Sequence, residues 1–164
     1  MQDRLLSLPK DAKDRAIETK KFFNKLKKRA PKNLDNLVEE IHDDVFEKTD
    51  CLSCANCCKT VGPLFLKQDI ARISKVIGLK PAQFEKKYLR VDEDNDWVLQ
   101  KVPCSFLGAD DACTIYDVRP KACQEFPHTN QKNIYRITDL TIKNTSICPA
   151  AFDVVERMKA SIKL

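Results

Sequence analysis

Apolar residues recur every three or four positions along most of the chain and every second position in only a few stretches. Residues 10–29 predict an amphipathic helix: Ala16, Phe23 and Leu26 share one side, with Ala12 and Glu18 nearby. Lys20, Lys21, Lys25, Lys27, Lys28 and Arg29 make the rest of that surface basic. Ala30-Pro31-Lys32 breaks the pattern, and Asn33 is placed to cap a second helix. There Leu34, Leu37, Val38, Ile41 and Val45 follow at helical spacing, while Glu39, Glu40, Asp43 and Asp44 face away. Together the two segments predict an antiparallel helical hairpin.

Thr60 to Leu66 reads as an apolar loop or short strand. A helix over Lys67–Ile77 turns Ile70, Ile73 and Ile77 inward and stops at Gly78. Pro81 suits a first helical position, and Phe84, Tyr88 and Leu89 continue an apolar face. The polar turn Asp92-Glu93-Asp94-Asn95-Asp96 separates Leu89-Arg90-Val91 from Trp97-Val98-Leu99-Gln100, which predicts a β-hairpin. Its acids lack the spacing and the glycine of a calcium hand, so a solvated turn is the reading. Pro120 opens a short helix that stops before Pro127. Ile134-Tyr135-Arg136-Ile137 and Leu140-Thr141-Ile142 alternate and predict a second hairpin around Thr138-Asp139. A final helix follows Cys148-Pro149, with Phe152, Val155, Met158 and Ile162 on one face.

With 164 residues the chain suits one domain, 1–164, able to bury a core. Three glycines are few for a protein of many tight turns, which favours long helices. No apolar run approaches the ~20 residues that span a bilayer, so no membrane is expected. The N-terminal nine residues are too short for an export signal and end at Pro9, so a reducing cytoplasm is the expected compartment. A net charge of +5 is modest, and metal-bound thiolates would lower it. The lysine run reads first as a solvated face, with an acidic protein partner as the next use; nucleic acid is disfavoured, since no aromatic interleaving or base-reading motif accompanies it.

Chemistry enters with the eight cysteines. Cys51, Cys54, Cys57 and Cys58 form the run C-x2-C-x2-C-C; Cys104, Cys113, Cys123 and Cys148 are spread through the second half. A C-x2-C unit turns both sulfurs toward one cation, and here two units overlap through Cys54. Cys57 and Cys58 are neighbours whose side chains are expected to diverge, so the run suits more than one metal, or one metal plus a reactive or buried thiol. Eight thiols complete two four-thiolate sites, or one iron–sulfur cluster with cysteines to spare. Isolated buried cysteines pack as small hydrophobes, which accounts for one or two of the scattered four but not for the run. Disulfides are the lesser expectation outside a short secreted chain.

Other residues join the candidate site. Arg119 stands between Cys113 and Cys123, where a cation offsets thiolate charge and donates from outside the ligand set. Tyr116 reads as core, and His128 as a weaker substitute ligand. His42, beside the apolar stripe of the second helix, reads as a partly exposed helix residue rather than a ligand. Cys148, just before a helix start, is electrostatically favoured as a thiolate. The overall expectation is an α+β, predominantly α-helical fold. A helical hairpin extension (1–48) packs on an irregular cysteine-rich metal-binding core (49–150) with short β-hairpins, and a C-terminal helix (149–164) follows.

The motifs C-x2-C-x2-C-C at Cys51–Cys58, C-x-F-L at Cys104, C-x-I-Y-x-x-R-P-x-x-C-x-x-F-P from Cys113 to Pro127 and C-P-A at Cys148 resemble those of the YkgJ-type cysteine-cluster proteins. These are the CxxCxxCC family, described as chelating zinc or iron. The segment Asp69-Ile70-Ala71 is also similar to the family's stretch between the two halves, and the resemblance runs from about Cys51 to Ala150. Ser105 replaces the family's usual proline and Gln124 its usual arginine; neither change removes a thiol. The resemblance implies a bacterial cytoplasmic metal-binding domain. Related domains in flagellin lysine methylases extend this to iron–sulfur chemistry, although the chain has no glycine-rich nucleotide or methyl-donor loop. The functional expectation is therefore a module holding zinc or iron through thiolates, with an iron–sulfur protein of redox or methyl-transfer-associated role as the alternative.

Overall fold

The longest element is α1, Gln2–Arg29, in a computed structural model that describes residues 2–164. It begins well before the helix predicted over 10–29 and runs through Pro9, whose ring lies on the exposed side. Its buried stripe is Leu8, Ala12, Thr19, Phe23 and Leu26, spacings of three, four and seven that keep one face inward. Helix α2 (Leu34–Phe46) buries Leu34, Val38 and Val45. Asn33 does occupy its N-cap, but makes no side-chain cap hydrogen bond. Asp35 in the first turn instead accepts from the backbone N–H of Asn133 at 2.8 Å.

The chain divides into two compact units: the residues up to Asp50 with Pro127–Leu164, and Cys51–Phe126. In the first, α1 and α2 make their main contacts not with each other but with later helices, α1 with α8 (Thr138–Thr145) and α9 (Pro149–Ser161) and α2 with α9. Phe23, Leu26, Leu34, Val38 and Val45 thus share one core with Ile134, Val154, Val155 and Met158. Val155, Met158 and Ile162 of the expected face are buried, joined by Ala151 and Val154, while Phe152 is only partly buried.

The second predicted hairpin does not form. Ile134–Ile137 is a 3-10 turn and Thr138–Thr145 is helix α8. Alternating β-branched residues mislead here because the threonines bond within the helix. Thr141 Oγ1 donates to the Ile137 carbonyl at 3.1 Å and Thr145 Oγ1 to that of Ile142 at 2.6 Å. Helical spacing then buries Thr141, Asn144 and Thr145 together, and Asn144 donates to the Pro127 carbonyl at 3.0 Å.

His42 stacks on Phe46 with ring centroids 4.2 Å apart, and its Nδ1 lies 2.8 Å from the Oγ1 of fully buried Thr129. Burial lowers its pKa below the ordinary histidine value, against the opposing pull of Asp43 and Glu39. The unfolded chain therefore takes up the proton first as pH falls below about 6.5. Stability held above that pH is lost progressively down to the folded pKa. Denaturant midpoints measured from pH 8 to pH 5 should fall more steeply for the wild-type chain than for His42→Gln; equal slopes would show that His42 does not titrate with folding.

The second unit contains a three-stranded antiparallel sheet in the order β1-β3-β2, from β1 (Leu64–Phe65), β2 (Leu89–Val91) and β3 (Trp97–Leu99). The predicted hairpin has Leu89 opposite Leu99 and Val91 opposite Trp97. Its turn is shaped by Asp92, whose Oδ1 accepts from the N–H groups of Asp94 at 3.0 Å and Asp96 at 2.9 Å. Helices α5 (Lys67–Val76) and α6 (Pro81–Tyr88) pack with the sheet. Gly78 ends α5 at φ +73°, a left-handed conformation that a side chain would strain. Phe65, Ile70, Ile73, Phe84, Leu89, Leu99, Phe106 and Ile115 form the core.

Candidate functional site

The cysteine run is not one helix. It folds as α3 (Cys51–Cys54) and α4 (Asn56–Thr60), broken at Ala55. Ala55 is buried and sits at φ 48°, a left-handed conformation costing a non-glycine residue about 1 kcal/mol or more. The break redirects Cys57 and Cys58 relative to Cys51 and Cys54. Cys51 is exposed, and the other three are half-buried.

The second cysteine-bearing segment meets this run. The N–H of Cys104 donates to the carbonyl of Cys58 at 2.7 Å, which ties α4 to the start of the later loop. From Cys104 the chain turns through Gly108, where an added Cβ would lie 2.6 Å from Asp110 Oδ1 and 3.2 Å from the Ala112 carbonyl. It returns antiparallel, with a bridge between Leu107 and Cys113, and Thr114 N–H donates to the Phe106 carbonyl at 2.9 Å. Buried Phe106 and Ile115 anchor both arms in the core. A 3-10 turn at Tyr116–Val118 leads to Pro120 and α7 (Lys121–Glu125), which carries Cys123 and stops before Pro127 as its sequence predicts.

Four thiols from these elements share one electrostatic neighbourhood. Burial pushes Cys123 up to about 12, reinforced by Cys58, Cys104 and Cys113. Burial likewise raises Cys104, with Cys58 and Cys113 adding to it, while the Phe106 N–H, 3.5 Å from Cys104 Sγ, acts in the opposite sense. Cys113 is raised by burial and by Cys58. The Cys58 thiol is raised most, first by its hydrogen bond with Cys57 and then by burial. Each of these thiols is held protonated by burial and by its fellows, as expected where several potential anions crowd together without a cation.

The structure answers whether these residues suit a metal through the chemistry of the donors. Cys57, Cys58, Cys104, Cys113 and Cys123 are thiols rather than disulfides, and clustered sulfur suits soft or borderline ions such as zinc and iron. Among the described residues no three His, Cys, Asp or Glu side chains are gathered as a finished ligand group. The four thiols share a neighbourhood, and a cysteine needs only χ1 rotation to redirect its sulfur from a fixed backbone.

Arg119 is half-buried, less withdrawn from solvent than burial beside thiolate charge would demand. Its guanidinium lies over the Tyr116 ring at 4.0 Å and donates to the Tyr116 carbonyl at 2.8 Å. Its charge still favours the thiolate forms of Cys113 and Cys123. Tyr116 is exposed, not in the core as the sequence reading expected. Cys148 belongs to the other unit, where it is the N-cap of α9 and its Sγ accepts from the Ala151 N–H at 3.5 Å. His128 is half-buried there, in a left-handed conformation at φ 64°. Periodicity did not single out Asp69 and Arg72, which bridge α5 to the segment between Cys113 and Cys123; for Asp69 the signal in the sequence was the family-like stretch Asp69-Ile70-Ala71, and for Arg72 there was none.

A cysteine-clustered, predominantly helical α+β protein with a small antiparallel sheet is the class that this fold and site define. The chain belongs to the CxxCxxCC family, described as "Putative zinc- or iron-chelating domain", whose model matches residues 50–149. No solved structure matches the chain significantly. Among the described residues no helix is long and apolar enough to cross a membrane.

Proposed function

We propose that the protein binds zinc or iron through thiolates, with Cys58, Cys104, Cys113 and Cys123 as the central set and Cys51, Cys54 and Cys57 as further donors. The observation that carries this reading is the 2.7 Å hydrogen bond from Cys104 N–H to the Cys58 carbonyl, which joins the two halves of the motif. Bound metal would draw protons from thiols that otherwise hold them and would hold together loops that have little regular structure of their own. Arg119, beside Cys113 and Cys123, would offset part of the charge that four thiolates place around a divalent ion.

Anaerobic purification followed by metal and sulfide analysis is the test. Stoichiometric zinc or iron without acid-labile sulfide is the expected result. The same thiols match the donor set of an iron–sulfur cluster, and iron with equivalent sulfide would assign that alternative. A chain that takes up neither metal would overturn the proposal. A protein partner is the further reading of α1, which carries ten Lys and Arg against four Asp and Glu while the whole chain is only +5. The basic charge is thus concentrated on one element, where an acidic surface would be attracted.

A further inference from the structure

Asp69 is the third residue of α5 and is 2 % exposed. Its Oδ2 accepts from the N–H of Leu66 at 3.0 Å, an ordinary service to a helix start. Its Oδ1 does something a cap does not require. It accepts from Arg72 Nη2 at 2.7 Å and from the N–H of Lys121, 52 residues away, at 3.2 Å. Arg72 Nη2 also donates to the Arg119 carbonyl at 2.9 Å, with the Val118 carbonyl at 3.4 Å as a weaker shared acceptor. Gln124 Nε2 reaches the same Arg119 carbonyl at 2.9 Å.

One ion pair therefore holds the chain on both sides of Pro120: the carbonyl before it and the N–H after it. Proline has no N–H to contribute, so this strap depends on side chains for its anchoring. The strap also sets α7, since the Cys123 N–H bonds the Pro120 carbonyl at 2.9 Å. Charge decides why an ion pair suits the place. A buried carboxylate is costly unless hydrogen-bonded and paired, and here both bonds that compensate Oδ1 also locate the strap.

Resting on the thiol-centre reading above, we infer that Asp69 and Arg72 are positioning residues for that centre. They hold the Arg119–Lys121 strap so that Cys113 before it and Cys123 after it are presented to Cys58 and Cys104 ahead of any metal. Neither side chain binds the ion; each acts through the backbone that carries the thiols.

The test titrates the full chain with Co(II), following thiolate-to-metal absorbance and the ligand-field bands. Arg72→Ala should weaken Co(II) binding by ~10–100-fold, the range for residues that support ligands from outside the ligand set, and should alter the ligand-field bands. Arg72→Lys keeps the charge but not the fork, so it should recover only part of the affinity. Lys75→Ala, exposed on the same helix, should match the wild type. The inference is overturned if Arg72→Ala keeps wild-type affinity and bands. It is also overturned if Ile73→Val, which loosens the same helix without touching the strap, reproduces the loss. Alkylation of Cys123 in the metal-free chain, mapped by mass spectrometry, provides an arm that does not need metal. Its rate should rise several-fold in Arg72→Ala, and an unchanged rate overturns the inference. Failure of the wild-type chain to take up Co(II) would instead count against the thiol-centre reading, leaving the alkylation arm to judge the strap.

Discussion

Cys58→Ser should cost more metal affinity than serine at any other cysteine of the second unit. Cys58 is the thiol to which the others are coupled: it raises Cys104, Cys113 and Cys123. Its backbone also receives the Cys104 N–H. Serine nearly preserves size and backbone, so the loss would report the sulfur. A hydroxyl is a poor donor to a soft ion and stays protonated at neutral pH. Losing a direct donor should exceed the ~10–100-fold cost of losing an outer supporting contact. Cys51→Ser, at an exposed position, should cost less. Competition against a chelator of known zinc affinity measures both. Wild-type affinity in Cys58→Ser would sink the assignment of Cys58 to the centre. The same titrations should show affinity falling as pH falls from 8 to 6. The thiols are held protonated by burial and by one another, so binding must release protons, and a higher proton concentration opposes it.

Phe84→Ala should destabilise the second unit by about 3–5 kcal/mol, the usual cost of truncating a buried phenylalanine to alanine. Phe84 is fully buried and touches three other rings. It stacks on Phe106 at 5.9 Å and lies 5.9 Å from Phe65 and 5.2 Å from Tyr88. Phe106 also sits between Cys104 and Cys113 in the chain, and its backbone holds both arms of their loop. The substitution should therefore weaken metal binding without removing a donor. Trp97 is the chain's single tryptophan and belongs to the same sheet, so its fluorescence through denaturant unfolding reports this unit. A shift below about 1 kcal/mol would mean that the surrounding rings repack and Phe84 is not the keystone of this core.

Much was legible along the chain because it depends on local rules. The helical period of α2 and α5, Gly78 as a stop, Pro81 at a helix start, the hairpin about Asp92 and the short helix after Pro120 all follow from backbone preferences and short-range spacing. The cysteine pattern itself pointed to the family and to thiol chemistry, because ligand spacing is written in sequence. Other features depended on partners distant in the chain. Ile134–Thr145 alternates like a strand, yet it is helical because its hydroxyls bond locally and its 3.6-residue face packs on α1 and α9. The cysteine run is split by a left-handed break at Ala55 that no residue type announced. That Cys104 meets Cys58 through the backbone, and that Asp69 and Arg72 bond the segment between Cys113 and Cys123, was decided by hydrogen bonds spanning 46 to 52 residues. Periodicity records how a segment prefers to fold. Only packing decides which segments meet, because that choice is set by the polar groups each must satisfy once water is excluded.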